Sequence, residues 1–457
     1  ASPVKSSFAM NRRNVLIALG IGTFMSALDG SVVNTILPLL AHEFHASVAG
    51  VEWVTTVYLL TVSALLLIVG RAGDLYGHKV VYMAGFAIFI AGSALCGAAT
   101  TLAMLVSMRG VQAVGAAMLY ANAPAILTKT FPAEQRGRAL GAQATFTYLG
   151  LTAGPSLGGW LAAAFGWRWV FYINVPVGLA SVILSARAIE RDRPGARRER
   201  FDFLGAALFT TGLVALLIAL NQGHDLGWTS PGILTLFLGA LVLLASFIAV
   251  ERRSASPMLD LSLFRSRVLS AATASALLNY VCTYAVLFVM PFLLIQGRGL
   301  NTQQAGLVLT AQPIVMAVVA PMAGSLSDRI GSRILASSGM LVLAIGLVLL
   351  GTFAAHGSTA MLVAALAVIG VGIGLFTTPN NSALMGAAPR HRQGIASGVL
   401  ASARNVGMVL GVGVAGAVFT TILSHGGPGA MARGTSMTMF VSAGIAVTGA
   451  VIASIRD

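Results

Sequence analysis

The sequence predicts an all-α membrane protein, a bundle of about fourteen transmembrane helices. Three observations predict it. Hydrophobic residues make up 57% of the chain and charged residues only 9%, where a soluble domain carries about 25% charged residues to cover its surface. Mean hydropathy is +0.86. Apolar runs of membrane-crossing length recur from end to end of the 457 residues. Backbone groups in lipid must be satisfied within their own segment, and these runs are too long and too evenly apolar for barrel strands.

Taken in order, the runs fall at 15–39, 51–69, 80–99, 102–127, 139–165, 169–186, 203–220, 233–250, 268–295, 305–326, 334–355, 361–385, 395–423 and 436–455. The first exceeds a signal-peptide core, lacks a small-residue cleavage site and carries an acid, so it is expected to be a structural helix. Between runs, the basic residues alternate. Lys5, Arg12 and Arg13 precede the first; Arg71 and Lys79 follow the second; Lys129, Arg136 and Arg138 follow the fourth. The same parity continues through residues 187–200 and 252–267, then Arg329 with Arg333, Arg390 with Arg392, and Arg456, while the opposite gaps hold only Arg168, Arg298 and Arg433. The positive-inside rule then places both termini in the cytoplasm and requires an even number of spans. The formal charge of +14 is thereby explained as topology, and a nucleic-acid partner is not expected. Cys96 and Cys282 both lie inside apolar runs, so neither a disulfide framework nor a metal cluster is expected.

Residues 190–202, reading ERDRPGARRERFD, have no apolar face and are expected to form a cytoplasmic linker. A repeat sets the wider organisation. Gly70-Arg-Ala-Gly-Asp74-Leu-Tyr-Gly77-His-Lys79 follows the second run, and Gly324-Ser-Leu-Ser-Asp328-Arg-Ile-Gly331-Ser-Arg333 follows the tenth, with the same spacing of glycine, acid, glycine and base. Each is expected to be a loop whose acid and base ion-pair and pack against neighbouring helix ends. The copies lie eight runs apart, where two six-helix halves would put them six apart. Two extra helices, the seventh and eighth, are therefore expected between the halves. The resulting divisions are 1–189, the linker 190–202, the inserted pair 203–251, and 252–457.

The repeated loop resembles the signature loop of the major facilitator superfamily, whose two six-helix halves enclose a central cavity. Within it the chain resembles the fourteen-spanner drug:proton antiporters over nearly its whole length. Leu28-Asp29-Gly-Ser-Val-Val-Asn34-Thr-Ile-Leu-Pro38 is similar to their first-helix motif, and Arg109-Gly-Val-Gln112-Ala-Val-Gly115 to that of the fourth helix. Gly150-x-x-x-Gly154-Pro155-x-x-Gly158-Gly159 is similar to the antiporter motif of the fifth, and Trp167-Arg168-Trp169-Val-Phe171-Tyr-Ile-Asn174-Val-Pro176 to the opening of the sixth. Two positions depart from the signature: Ala72 stands where leucine is usual and His78 where arginine is usual.

Few charges lie at membrane depth: Asp29 midway along the first run, Arg109 in the fourth and Arg404 in the thirteenth. An ionised group there costs about 2.5–3.5 kcal/mol on the milder scale, so each needs a partner, a wet cavity or a function. Asp29 is the only acid placed deep in a run. Burial disfavours its charged form and a nearby arginine favours it, which makes its protonation responsive to its surroundings. Asp29 is therefore expected to carry the coupled proton, with Arg109 tuning it directly or through Gln112; the alternative is a fixed ion pair. In the resembled family this arginine is tied to proton coupling. Arg404 opens Arg404-Asn405-x-Gly407-x-x-x-Gly411, the second-half counterpart of the fifth-helix motif, and either faces substrate or snorkels to the cytoplasm. Glycines Gly150, Gly154, Gly158 and Gly159, with Pro155, let a partner backbone approach and a helix bend. The resemblance implies a sealing and rocking role for them.

Substrate-cavity candidates are Asn34, Trp53, Tyr58 and Asn122 in the first half, with Asn279, Tyr280, Tyr284 and Arg404 in the second. Asn279, Tyr280 and Tyr284 are expected on one helical face. Aromatic faces with a few amides suit lipophilic compounds, monocations included. The gating positions are Gly70, Asp74, Gly77, Lys79, Asp328, Arg329 and Arg333. No metalloprotease, P-loop or nucleophile-elbow motif is present. An enzyme is thus not expected, nor is a cofactor or a metal; the energy is left to an ion gradient or the substrate gradient, and the proton gradient is the expected source. The expected function is proton-coupled export of lipophilic drugs or toxic small molecules by a monomer in the bacterial inner membrane. A lipid or metabolite transporter of the same fold, exporter or symporter, is the alternative.

Overall fold

The computed structural model describes residues 3–190, 202–253, 264–387, 393–427 and 429–455; residues 191–201 of the expected linker lie outside them. Among the described residues every regular element is helical. Among the described residues thirteen helices are long and apolar enough to cross a membrane; α5 runs for 33 residues beside them. This is a multi-pass membrane protein, as the composition demands.

The chain forms two compact units. The first comprises residues Ala1–Ala46 and Trp53–Phe201, the second Ser47–Glu52 and Asp202–Asp457. The first holds α1 (Pro3–Glu43), most of α2 (Val48–Tyr76), α3 (His78–Gly97), α4 (Leu102–Thr130), α5 (Ala133–Phe165), the single turn α6 (Trp169–Tyr172) and α7 (Asn174–Ala188). Here α1 packs against α4, α5 and α7, and α3 against α4 and α7. The second holds α8 (Phe203–Leu226), α9 (Pro231–Glu251), α10 (Arg267–Phe292) with a π turn at Leu293–Gly297, α11 (Thr302–Ile330), α12 (Ser332–His356), α13 (Thr359–Ala387), α14 (Gln393–Ser424) and α15 (Ala430–Ser454). In this unit α10 packs against α14 and α15, α12 against α13 and α15, and α11 against α13. Helices α8 and α9 pack on each other, and α8 also on α14, where Trp228 Nε1 donates to Thr421 Oγ1 at 3.3 Å.

Polar residues at the ends of the apolar runs start these helices. Thr101, Ser230 and Ser266 each accept from a first-turn backbone N–H of α4, α9 and α10. At α11, Asn301 and Gln304 form a reciprocal capping box. The helices overrun the apolar runs, at the repeat among other places. Gly70 to Asp74 were expected in a loop but form the last turns of α2, and the matching Gly324 to Asp328 close α11. Only Gly77 and Gly331 break the helices, at φ 96° and 88°, a region that side-chain-bearing residues avoid. Apolarity marks where a helix crosses lipid, whereas backbone hydrogen bonding continues into water until a residue such as these ends it.

At the first joint, His78 Nε2 lies 3.3 Å from Asp74 Oδ1 and His78 Nδ1 2.8 Å from Asn122 Oδ1 on α4. Lys79 donates to the carbonyls of Ala186 (2.9 Å) and Ile189 at the end of α7. At the second joint Arg329 and Arg333 flank Gly331; the side chain of Asp328 lies outside the described residues.

The three arginines that depart from the alternating charge pattern all bind backbone carbonyls. Arg168 Nη2 donates to Ala99 O at 3.2 Å, past the end of α3. Arg298 donates to Gly357 O, Phe353 O and Ala354 O, at 2.6, 3.0 and 3.0 Å, around the end of α12. Arg433 donates to Gly426 O at 2.7 Å, past the end of α14. Cations favour helix C-termini, where carbonyls lack intrahelical partners.

Candidate functional site

Asp29 is fully buried on α1, and Arg109 on α4 is 1% exposed. Arg109 Nη1 donates to Asp29 Oδ2 at 2.6 Å and to Gln112 Oε1 at 2.8 Å. Arg109 and Gln112 are three residues apart, the spacing that puts two side chains on one helical face. Arg109 Nε donates to Val54 O of α2 at 3.2 Å. The guanidinium also lies 4.1 Å from the centroid of the Tyr58 ring and 5.8 Å from that of Phe171.

The other carboxylate oxygen, Oδ1, accepts from Gln112 Nε2 at 3.0 Å and from Asn174 Nδ2 at 2.9 Å. Asn174 opens α7, and its amide nitrogen also donates to Ser93 Oγ on α3 at 3.0 Å. Ser93 in turn donates to Phe171 O at 2.8 Å. The carboxylate thus takes three N–H donors from two other helices. A buried charge needs both a counter-charge and hydrogen bonds on its remaining lone pairs, and Asp29 has both. The arrangement can hold an ionised carboxylate away from water.

Glycines bring the surrounding backbones close. A Cβ added at Gly150 of α5 would stand 2.5 Å from Phe24 O, one at Gly154 would overlap Ser31 Oγ, and one at Gly158 would stand 2.6 Å from Val32 Cγ2. The expected antiporter helix therefore clasps the stretch of α1 that carries Asp29, with Pro155 and Gly159 buried in the same segment. On α3, a Cβ at Gly92 would stand 2.7 Å from the backbone nitrogen of Gln112.

The remaining candidates are dispersed. Asn34 donates to Gly30 O at 3.0 Å and accepts from Thr55 Oγ1 at 3.3 Å. Asn122 is fully buried at the α2–α3 joint, donating to Val69 O and Met118 O besides meeting His78. Trp53 and Arg404 are half-buried, and Tyr58 stacks on Arg109 as described. Asn279 Nδ2 points to Met340 Sδ on α12 at 3.5 Å, whereas Tyr280 and Tyr284 lie against Gly407 and Gly411 of α14. The three therefore do not share a face: successive helical residues are about 100° apart, and Asn279 is carried round to α12. Sequence reading also overlooked two buried acids, Glu52 in the second turn of α2 and Glu251 at the end of α9, 1% and 3% exposed. Both lie near the ends of apolar runs, where an acid attracts no notice.

Residues 19–264 and 272–456 match the model of the Major Facilitator Superfamily. The chain belongs to this superfamily. It is 35% identical over 91% of its length to the multidrug resistance protein Stp of Mycobacterium tuberculosis, covering 78% of that protein. It is 34% identical over 90% of its length to the riboflavin transporter RibZ of Clostridioides difficile, covering 89% of it. Among solved structures, an inward-facing, unoccupied bacterial homolog of the human lysosomal transporter Spinster superposes with a TM-score of 0.71 at 15% identity, over 100% of this chain and 97% of that one. That likeness concerns the fold.

As a major facilitator protein the chain is a membrane transporter, and its two units repeat one packing scheme. A Cβ added at Gly407 would stand 2.5 Å from Leu277 O as one at Gly150 would from Phe24 O, and one at Gly411 would meet Tyr284 as one at Gly154 would meet Ser31. Gly339 faces Gly372 O as Gly85 faces Gly115 O, and Gly346 abuts Ile369 as Gly92 abuts Gln112. Carrying these matches along the helices puts Cys282 in the place of Asp29, Leu366 in that of Arg109, Ile369 in that of Gln112 and Leu347 in that of Ser93. Cys282 is a buried free thiol 3.2 Å from Ser442 O. The backbone scheme recurs and the charged network does not.

Proposed function

We propose that this transporter is a proton-coupled exporter, an antiporter that removes lipophilic drugs or toxic small molecules, cationic ones included, by alternating access. The observation that carries the reading is the Asp29–Arg109 pair: a buried carboxylate held by a permanent cation and two amides in a unit whose repeat partner has Cys282, Leu366 and Ile369 at the positions of Asp29, Arg109 and Gln112. A fold alone has no need of such a network, since an apolar set packs the same positions in the second unit. Arginine keeps its proton, so Asp29 is the group that exchanges one. In the outward-open state Asp29 takes a proton from outside; in the inward-open state it releases that proton as cytoplasmic substrate binds. The proton gradient is the energy source, with no further cofactor, and the transporter works as a monomer in lipid.

The likeness to a multidrug resistance protein and the glycine clasp of α5 on α1 support export. The alternating basic residues support a bacterial inner-membrane location with both termini cytoplasmic. The same reading divides the chain into six-helix halves at 1–189 and 252–457, with linker 190–202 and inserted pair 203–251. Gly70, Asp74, Gly77 and Lys79, with Asp328, Arg329 and Arg333, are the gating joints. Asn34, Trp53, Tyr58, Asn122, Asn279, Tyr280, Tyr284 and Arg404 are the residues to vary first for substrate effects.

The likeness to a riboflavin transporter favours a second reading, a metabolite carrier of the same fold. Everted vesicles separate the two. Export of drugs predicts that ethidium accumulates inside when the lumen is acidified, and that riboflavin does not. Riboflavin flux without ethidium flux would favour the metabolite reading, and accumulation under the reverse gradient would make the protein a symporter.

A further inference from the structure

Two of the hydrogen-bond orientations around Asp29 are fixed by geometry. The carbonyl of Phe171 can only accept, so the hydroxyl hydrogen of Ser93 is committed to it at 2.8 Å. Ser93 Oγ must then act as an acceptor toward Asn174, which places the amide nitrogen of Asn174 there at 3.0 Å. The second hydrogen of that nitrogen is directed at Asp29 Oδ1, 2.9 Å away. Asn174 cannot turn its amide over without leaving two oxygens face to face.

The other two donors depend on each other. Gln112 Oε1 accepts from Arg109, and this holds Gln112 Nε2 on Oδ1. Both lone pairs of Oδ1 are taken, by Gln112 and Asn174, whereas Oδ2 meets Arg109 alone, so a proton finds room on Oδ2, and its arrival removes the charge that holds Arg109 there. Arg109 has other partners to retain, Val54 O at 3.2 Å and the Tyr58 ring at 4.1 Å, whereas Asn174 is locked. The other titratable or charged side chains that face this site among the described residues are Cys96 on α3 and Tyr58 on α2. Helix α5 presents Gly150, Gly154 and Gly158 to this stretch of α1.

We propose that Asn174, locked by Ser93, is a positioning residue that keeps Oδ1 of Asp29 occupied, so that the transported proton is taken up at Oδ2, the oxygen that Arg109 gives up. The inference rests on the reading of Asp29 as the proton carrier. In the step, a proton from water forms the O–H bond at Oδ2, Asp29 becomes neutral, and Arg109 stays charged on Val54 O and the Tyr58 ring. Release reverses this. Arg109 thereby leaves α1 for α2 each time the proton arrives, while α7 and α3 hold the carboxyl still.

A substrate-free experiment tests it. Dicyclohexylcarbodiimide modifies protonated carboxyl groups in apolar surroundings, and mass spectrometry of the Asp29 peptide reads the labelled fraction of the purified full chain across a pH series. The native protein is expected to label as the pH falls, with a defined midpoint. Asn174→Ala removes a donor to the ionised form, so its midpoint moves up by about one pH unit, the size of one hydrogen bond to a charged group. Ser93→Ala moves it in the same direction by less, and Ser93→Thr, which keeps the hydroxyl, restores the native midpoint. A purely structural role would lower thermal stability and leave the midpoint where it is. A native-like midpoint in both alanine variants overturns the positioning role alone. Asp29 unlabelled at every pH in the native protein overturns the proton-carrier reading beneath it.

Discussion

Arg109 Nη1 lies 2.6 Å from Asp29 Oδ2, and both side chains are buried. Removing one partner of such a pair leaves a bare buried charge, a penalty of about 3–5 kcal/mol. Arg109→Ala is therefore expected to lower the melting temperature in detergent strongly at neutral pH. The penalty belongs to the ionised carboxylate, so it shrinks as the pH falls and Asp29 becomes neutral. Asp29→Asn combined with Arg109→Gln removes both charges and should recover most of the loss. Equal loss at all pH values would show that packing, and not charge, holds the site.

The clasp of α5 on α1 predicts opposite signs for two glycine substitutions. A Cβ at Gly154 overlaps Ser31 Oγ, while one at Gly239 of α9 meets nothing within 4 Å. Gly154→Ala should destabilise by about 1–3 kcal/mol through overpacking. Gly239→Ala should stabilise by up to about 1 kcal/mol through helix propensity. Thermal unfolding of both in one detergent checks the pair.

Arg298 binds three carbonyls around the end of α12. Arg298→Ala should cost about 1.5–3 kcal/mol, the range for bonds to a charged donor. Arg298→Lys should recover less than half, because one ammonium lacks the fork that reaches several carbonyls. Topology reporters fused to the C-terminus should read the same in both variants, since this arginine serves a helix end and not the orientation of the chain.

The second unit has Cys282 where the first has Asp29. Cys282→Ser keeps a donor toward Ser442 O, so driven transport should stay within about two-fold of native, with an unchanged pH profile. A shifted profile would place proton chemistry in the second unit as well.

Much of this site was legible in the sequence because charge in an apolar run is conspicuous. Asp29 and Arg109 stand out on cost alone, and Gln112 through the motif it shares with Arg109. Asn174 was visible inside a motif, yet its contact with Asp29 depends on α7 packing beside α1, which no local pattern encodes. Ser93 gave no signal, since a serine in an apolar helix ordinarily bonds its own backbone. The helix ends were misjudged at Asp74 and Asp328 because hydropathy reports lipid contact and not backbone hydrogen bonding. Asn279 was expected on one helical face with Tyr280 and Tyr284, and the step of about 100° between neighbouring residues turns it to α12 instead.

The proton role of Asp29 is tested most directly by flux driven by a pH gradient in proteoliposomes, native protein beside Asp29→Asn, against lipophilic monocations, neutral drugs and organic anions. The expected result is that the gradient drives at least one compound in the native protein, and that Asp29→Asn abolishes the driven flux while that compound still binds. Driven flux in Asp29→Asn equal to native would contradict the assignment and move the proton to another group, with Glu52 the next to examine.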